Sequence, residues 1–223
     1  MIVGLGIPDQ TIALLLIFPL VATLIAFFRQ VIGVKAFGIY TPSIIALVFF
    51  MISDARYEGF DLWAMFYDLR YGIAIYIAVI AIGMGMRVIL KKVRLLYLPR
   101  VAITMTLLSF TVLGILALGA ALQRTGFATV YVFPLIVLVV IAEKFVAVQI
   151  EKGTKTALLL ALETFVVALC GYALLSSQTV QNVVFAHPFS VLLVIPVNVL
   201  LGKWTGLRVA EYIRFRDVLT RMK

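Results

Sequence analysis

Long apolar stretches alternate with short polar ones along the whole chain. Seven apolar segments stand out, at about Thr11–Phe28, Phe37–Ile52, Tyr71–Leu90, Val101–Leu122, Thr129–Ala142, Ala157–Ser176 and Val183–Leu201. Most approach the ~20 residues that a helix needs to cross a hydrocarbon core. Backbone N–H and C=O groups find no water inside a bilayer, so the pattern predicts helices rather than open strands. The expected fold class is all-α: a polytopic membrane helical bundle of seven transmembrane helices, forming a single domain over residues 1–223.

Composition supports that picture and removes others. The chain is 64% apolar and 13% charged, with a mean hydropathy of +1.17. A soluble domain is nearer half apolar and a quarter charged, and one of this length could not hide so much apolar surface. A soluble globular enzyme, a disordered chain and a secreted disulfide scaffold are thereby excluded. Cys170 is the single cysteine, so no internal disulfide can form. Met1 to Gln10 carries no Lys or Arg, which argues against a cleavable signal peptide.

The formal net charge is +9, and its placement matters more than its size. Sixteen of the nineteen basic residues fall on one alternate set of connections. They are Arg29 and Lys35; Arg87, Lys91, Lys92, Arg94 and Arg100; Lys144, Lys152 and Lys155; and the six from Lys203 to Lys223, Arg208, Arg214 and Arg216 among them. The opposite set holds Arg56, Arg70 and Arg124. The positive-inside rule then predicts a cytoplasmic C-terminus and an outside N-terminus. Short basic clusters between apolar runs do not form a nucleic-acid surface, and no nucleic-acid partner is expected.

Two connections are expected to lie on the membrane surface. Outside, Asp61 to Arg70 sets Leu62, Met65, Phe66 and Leu69 on one helical face, with Trp63, Tyr67 and Tyr71 suited to the interfacial belt. Inside, Lys203 to Lys223 interleaves basic residues with Trp204, Leu207, Tyr212, Ile213 and Phe215. That tail reads either as held to anionic lipid or as a docking face for a cytoplasmic protein.

The second and fifth segments are the shortest, and each has a proline near its start, Pro42 and Pro134. Short, Pro-interrupted segments at matching places in two halves are a mark of inverted-topology repeats. Segments one to three would match four to six, a 3+3 inverted repeat plus one. Proline also suits the first turn of any helix, so two ordinary helix starts would give the same pattern.

Glu163 is the one ionisable residue clearly in mid-span, where charge is costly and usually functional. Thr156, Glu163, Cys170 and Ser177 recur every seven residues and make one weakly polar helix face. Glu163 reads either as lining a polar, proton-linked cavity or as a protonated or hydrogen-bonded residue between packed helices. Glu143-Lys144 is expected where the fifth segment meets the cytoplasm. A lone histidine, His187, and no cysteine pair make a zinc site improbable. Phosphate-loop, HExxH and nucleophile-elbow motifs are missing. No catalytic residue, metal or cofactor is therefore expected.

Several stretches in order carry a resemblance: Phe28-Arg-Gln-Val-Ile-Gly-Val-Lys-Ala-Phe-Gly38 running into Thr41-Pro42, Leu98-Pro-Arg-Val101, Phe133-Pro134 leading to Ile141-Ala-Glu-Lys144, and Leu201-Gly-Lys-Trp-Thr-Gly-Leu-Arg208 ending in Arg214-Phe-Arg216. Together they resemble the seven-helix membrane domain usually fused to an inactive transglutaminase-like domain in bacteria. A fainter likeness, in the two Pro-containing segments and Gln149-Ile-Glu-Lys-Gly153, is to the small membrane subunit of poly-γ-glutamate capsule synthases.

The resemblance implies a bacterial cytoplasmic (inner) membrane location and an ATP-grasp partner, a ligase resembling glutamate ligases. Only about ten residues precede the first segment, so an outer transglutaminase-like domain would be a separate polypeptide or not used. The leading expectation is a non-catalytic membrane subunit for polyglutamate-like synthesis, anchoring or export, with the ligase on the basic cytoplasmic face. Two alternatives stand beside it: an autonomous small-solute or ion transporter using Glu163, and a membrane scaffold without a conduit.

Overall fold

A computed structural model describes residues 9–53, 62–92, 97–121 and 132–203. The regular elements of the described residues are all helical. Helix α1 spans Asp9–Phe27 and widens into a π-helical turn at Phe28–Ile32. There follow α2 (Tyr40–Ile52), α3 (Leu62–Lys92), α4 (Tyr97–Ala121), α5 (Val132–Lys152) and α6 (Thr154–Ser176). The chain then passes through α7 (Gln178–Ala186), a 3₁₀ stretch (Pro188–Leu193) and α8 (Val194–Gly202).

Each of the seven apolar segments coincides with one of these helices or with the last, broken set. Among the described residues, four helical stretches are long and apolar enough to cross a membrane: Thr11–Ile32, Val101–Leu118, Phe133–Lys152 and Thr154–Ser176. A fifth candidate is the pair Gln178–Ala186 and Pro188–Gly202, bent by 102°. Tyr40–Ile52 and Leu69–Gly85 are shorter apolar helical stretches. Many of their large apolar side chains face outward; Leu15, Phe110 and Leu159 are 60–70% exposed. Side chains this apolar suit hydrocarbon as surroundings, which fits a multi-pass membrane protein.

Three expected boundaries shift, each for a physical reason. The outer segment at Asp61–Arg70 is no separate surface helix beyond Leu62, because α3 runs unbroken through it. Met65 and Leu69 are buried, and the Arg70 guanidinium lies 4.1 Å from the Tyr67 ring centre and 4.7 Å from that of Tyr71. The fifth helix does not end at Ala142. Glu143-Lys144 interrupts the apolar run but not the backbone hydrogen bonding, and α5 continues to Lys152. Half of the case for an inverted repeat rested on two short segments, and α5, at 21 residues against 13 for α2, removes it. The proline half stays, since Pro42 and Pro134 are each the third residue of their helix. Finally, the seventh segment is not one rod: Pro188 lacks the N–H that a continuing helix would use, and the chain turns at His187.

The chain forms two compact units that interleave along the sequence. The first takes its described residues from 9–46 and 163–203, and the second from 47–53, 62–92, 97–121 and 132–162. Helices α2 and α6 pass from one unit into the other.

In the second unit α3, α4 and α5 pack on one another. Leu69, Ile75, Leu108, Leu138 and Phe145 are almost wholly buried there. Phe49 meets Tyr76 edge to face with ring centres 6.2 Å apart, and the Tyr76 hydroxyl donates to the Ala161 carbonyl at 3.1 Å. Gly153 alone joins α5 to α6. Its φ of +88° is left-handed, its N–H bonds the Gln149 carbonyl, and its own carbonyl accepts from Ala157. A residue with a Cβ resists that conformation, which is why glycine ends α5 here.

In the first unit α1 packs against α7, the 3₁₀ stretch and α8. Ile17, Val21 and Ile25, one face of α1, are at most 1% exposed. Gly171 of α6 provides the closest approach: a Cβ there would stand 2.9 Å from the Ala46 Cβ and 3.0 Å from Val21 Cγ1. Small residues of this kind let membrane helices pack by dispersion, since lipid supplies no hydrophobic drive between them. Gly171→Ala is expected to lower stability by about 1–3 kcal/mol, the usual cost of overpacking. Gly114→Ala, where no atom lies within 4 Å, should cost nothing. Thermal unfolding of the two variants in detergent checks the contrast.

Candidate functional site

The stretch between α1 and α2 poses the sharpest hydrogen-bonding problem in the first unit. The π-helical turn closes with Gly33 at φ +93°, and both Gly33 and Val34 donate to the Phe28 carbonyl. Residues 33–39 are then non-helical, with Gly38 at φ +81° donating to the Ala36 carbonyl at 2.7 Å. Lys35, Ala36 and Phe37 are left with three successive N–H groups that no helix uses. Inside an apolar phase each unsatisfied group costs several kcal/mol.

Glu163 and Thr164 of α6 answer all three. Glu163 Oε2 accepts from Lys35 N at 2.6 Å and from Ala36 N at 3.2 Å, and Thr164 Oγ1 accepts from Phe37 N at 2.9 Å. Successive backbone N–H groups form a concavity suited to an anion, and here a carboxylate of the same chain fills it. Thr164 is fully buried and Glu163 half-buried. The group that sequence marks as the costly mid-span charge is thus a receiver for irregular backbone. Its partners are backbone atoms 127 or 128 residues away, which no side-chain pattern announces.

The other members of the polar face are not gathered around it. Cys170 is a half-buried free thiol further along α6, Thr156 is exposed, and Ser177 lies just past the helix end. Pro42 is buried at the start of α2 between buried Thr41 and Ser43, and the Ser43 hydroxyl donates to the Ile39 carbonyl at 2.9 Å. Pro42 belongs to the first unit and Pro134, also buried, to the second.

Of the basic face, Arg29, Lys35, Lys144 and Lys203 are exposed. Arg87, Lys91 and Lys92 lie in the last turns of α3 and Arg100 in the first turn of α4, but their side chains fall outside the described residues. Arg94, Arg208, Arg214 and Arg216 fall outside them altogether. Glu143 does not end its helix at the membrane edge. It is half-buried within α5 and lines a small cavity of about 50 Å³ with Thr104, Ile150 and Glu151. Gln149 is 1% exposed; its Nε2 donates to Thr154 Oγ1 at 3.3 Å, while Oε1 has no partner among the described residues. No group of three or more His, Cys, Asp or Glu side chains among the described residues could hold a metal ion.

A family model described as seven transmembrane helices usually fused to an inactive transglutaminase matches residues 1–219. No curated protein and no solved structure matches the chain.

Removing the receiver leaves the N–H groups of residues 35 and 36 without their side-chain acceptor. Glu163→Ala is therefore expected to destabilise the protein by about 2–4 kcal/mol, since each stranded donor costs about 1–3. Glu163→Gln keeps an oxygen in place and should cost about half as much. Thermal unfolding in detergent, read beside liposome flux, separates structure from transport. A Glu163→Gln protein of unchanged stability that loses flux would support transport through this residue.

Proposed function

The chain belongs to the family of seven transmembrane helices usually fused to an inactive transglutaminase, and from that premise we propose a non-catalytic subunit of a peptide or polyamino-acid synthesis, anchoring or export assembly. In this reading it crosses the bacterial cytoplasmic membrane seven times, with its N-terminus outside and its C-terminus in the cytoplasm. The broken pair at His187 is the seventh crossing, and the shorter apolar stretches Tyr40–Ile52 of α2 and Leu69–Gly85 of α3 complete the count. A cytoplasmic ATP-grasp ligase makes an amide-linked product, and a transglutaminase-like protein outside is a further partner.

The observation that carries this reading is the family match over nearly the whole chain. Two features support it. Basic residues are concentrated on one set of connections, which suits an acidic partner face or an anionic product. Glu163, the residue a transporter would use, already receives backbone N–H groups. That engagement favours an anchoring role over autonomous transport.

Affinity purification of the tagged full chain in mild detergent, with companions identified by mass spectrometry, tests the assembly. A stoichiometric ATP-grasp ligase is expected. Its recovery should fall by about tenfold or more in Arg214→Gln/Arg216→Gln, because charge pairs across an interface are worth about 1.5–7 kcal/mol. A well-folded protein that emerges alone, repeatedly, would overturn the reading.

A further inference from the structure

The first unit contains a groove of about 610 Å³ that the 102° bend at His187 leaves open. That volume is within the range of about 300–1,000 Å³ typical of small-molecule pockets. Eleven of its fourteen lining residues are apolar, among them Leu20, Leu24 and Phe27 of α1, Val183 of α7, and Val197 and Leu201 of α8. The polar atom most central to it is already used: Thr23 Oγ1 donates to the Pro19 carbonyl at 2.9 Å and accepts from Asn198 Nδ2 at 2.7 Å. The groove therefore offers shape and apolar contact, with little for a polar solute to bond.

The Thr23–Asn198 bond sets the register of α8 on α1, and it places both helix ends together. Four residues after Thr23 comes Phe27, and three after Asn198 comes Leu201, both in the lining. The lining runs from Leu20 to Phe27 on α1 and from Val194 to Leu201 on α8, about 10 Å of each helix at 1.5 Å per residue. Two residues further on stand Arg29 and Lys203, both exposed, and α8 also packs against the π-helical turn that carries Arg29. Neither cation forms an ion pair or a side-chain hydrogen bond with a described residue. The Arg29 Nη1 atom lies 3.8 Å from where a Cβ on Gly38 would stand, an ordinary van der Waals distance.

We propose that this groove is a binding site for one anionic phospholipid, with an acyl chain along α1 and α8 and the phosphate headgroup at Arg29 and Lys203. The chemistry selects that occupant. Lipid tails are as apolar as leucine, so the groove by itself does not prefer one lipid to another. Preference comes from the two cations at its end, in the layer where anionic headgroups lie, and guanidinium suits phosphate through paired N–H donors. This inference stands apart from the assembly reading and holds or fails without it.

Native mass spectrometry of the full chain, released from nanodiscs of equal phosphatidylglycerol and phosphatidylcholine, tests it. One phosphatidylglycerol retained in preference to phosphatidylcholine is expected. Arg29→Gln/Lys203→Gln should weaken that retention by about thirtyfold, taking the usual surface contribution of two basic residues. Both positions are exposed, so folding should survive the change. Val197→Trp, which fills the groove and keeps the cations, should also release the lipid, with thermal unfolding as the check on its fold. Equal retention of the two lipids, dimers of the chain in place of lipid adducts, or an adduct indifferent to Val197→Trp would each overturn the proposal.

Discussion

The demand that shapes the first unit is that backbone N–H groups in an apolar phase must find an acceptor. Residues 35–37 break helical bonding, and Glu163 and Thr164 supply what the helix no longer does. The cost of a mid-span carboxylate is thereby offset by donors that would themselves be costly if stranded. The contact also ties the start of α2 to the middle of α6, and the close approach at Gly171 to Ala46 and Val21 lies further along the same helix.

The same rule explains the other departures from straight helices. At Gly153 a single left-handed residue ends one helix and begins the next, and its own N–H and carbonyl are both bonded. At His187 the turn is followed by Pro188, which has no N–H to satisfy, and Ser190 donates back to the His187 carbonyl at 2.9 Å. The bend leaves an apolar groove beside α1 because nothing in the described chain fills that space. In a bilayer such a space is supplied with lipid, and its chemistry at one end is set by Arg29 and Lys203.

The function we propose rests on surfaces more than on a reaction centre. Among the described residues no group of three or more His, Cys, Asp or Glu side chains could hold a metal ion. The family's usual fusion to an inactive transglutaminase is consistent with a non-catalytic membrane part. Basic connections, an apolar exterior and one apolar groove are the materials available for that task.

Much of the fold was legible in the residues alone. The seven apolar runs and the all-helical class were readable because a bilayer imposes length and composition on every crossing segment, and the family was readable from the resemblance of ordered motifs such as Phe28–Gly38 and Leu201–Arg208. Glu163 stood out for the same reason: charge within hydrocarbon is rare enough to be noticed. What Glu163 does was decided only by tertiary structure, because its partners are backbone N–H groups that carry no residue identity. Helix ends also escaped the pattern, as α5 shows by continuing past Glu143-Lys144. Hydropathy records where charge begins, whereas a helix ends where its hydrogen bonds end. The bend at His187 and the groove beside α1 likewise depend on how helices pack, which local sequence does not specify.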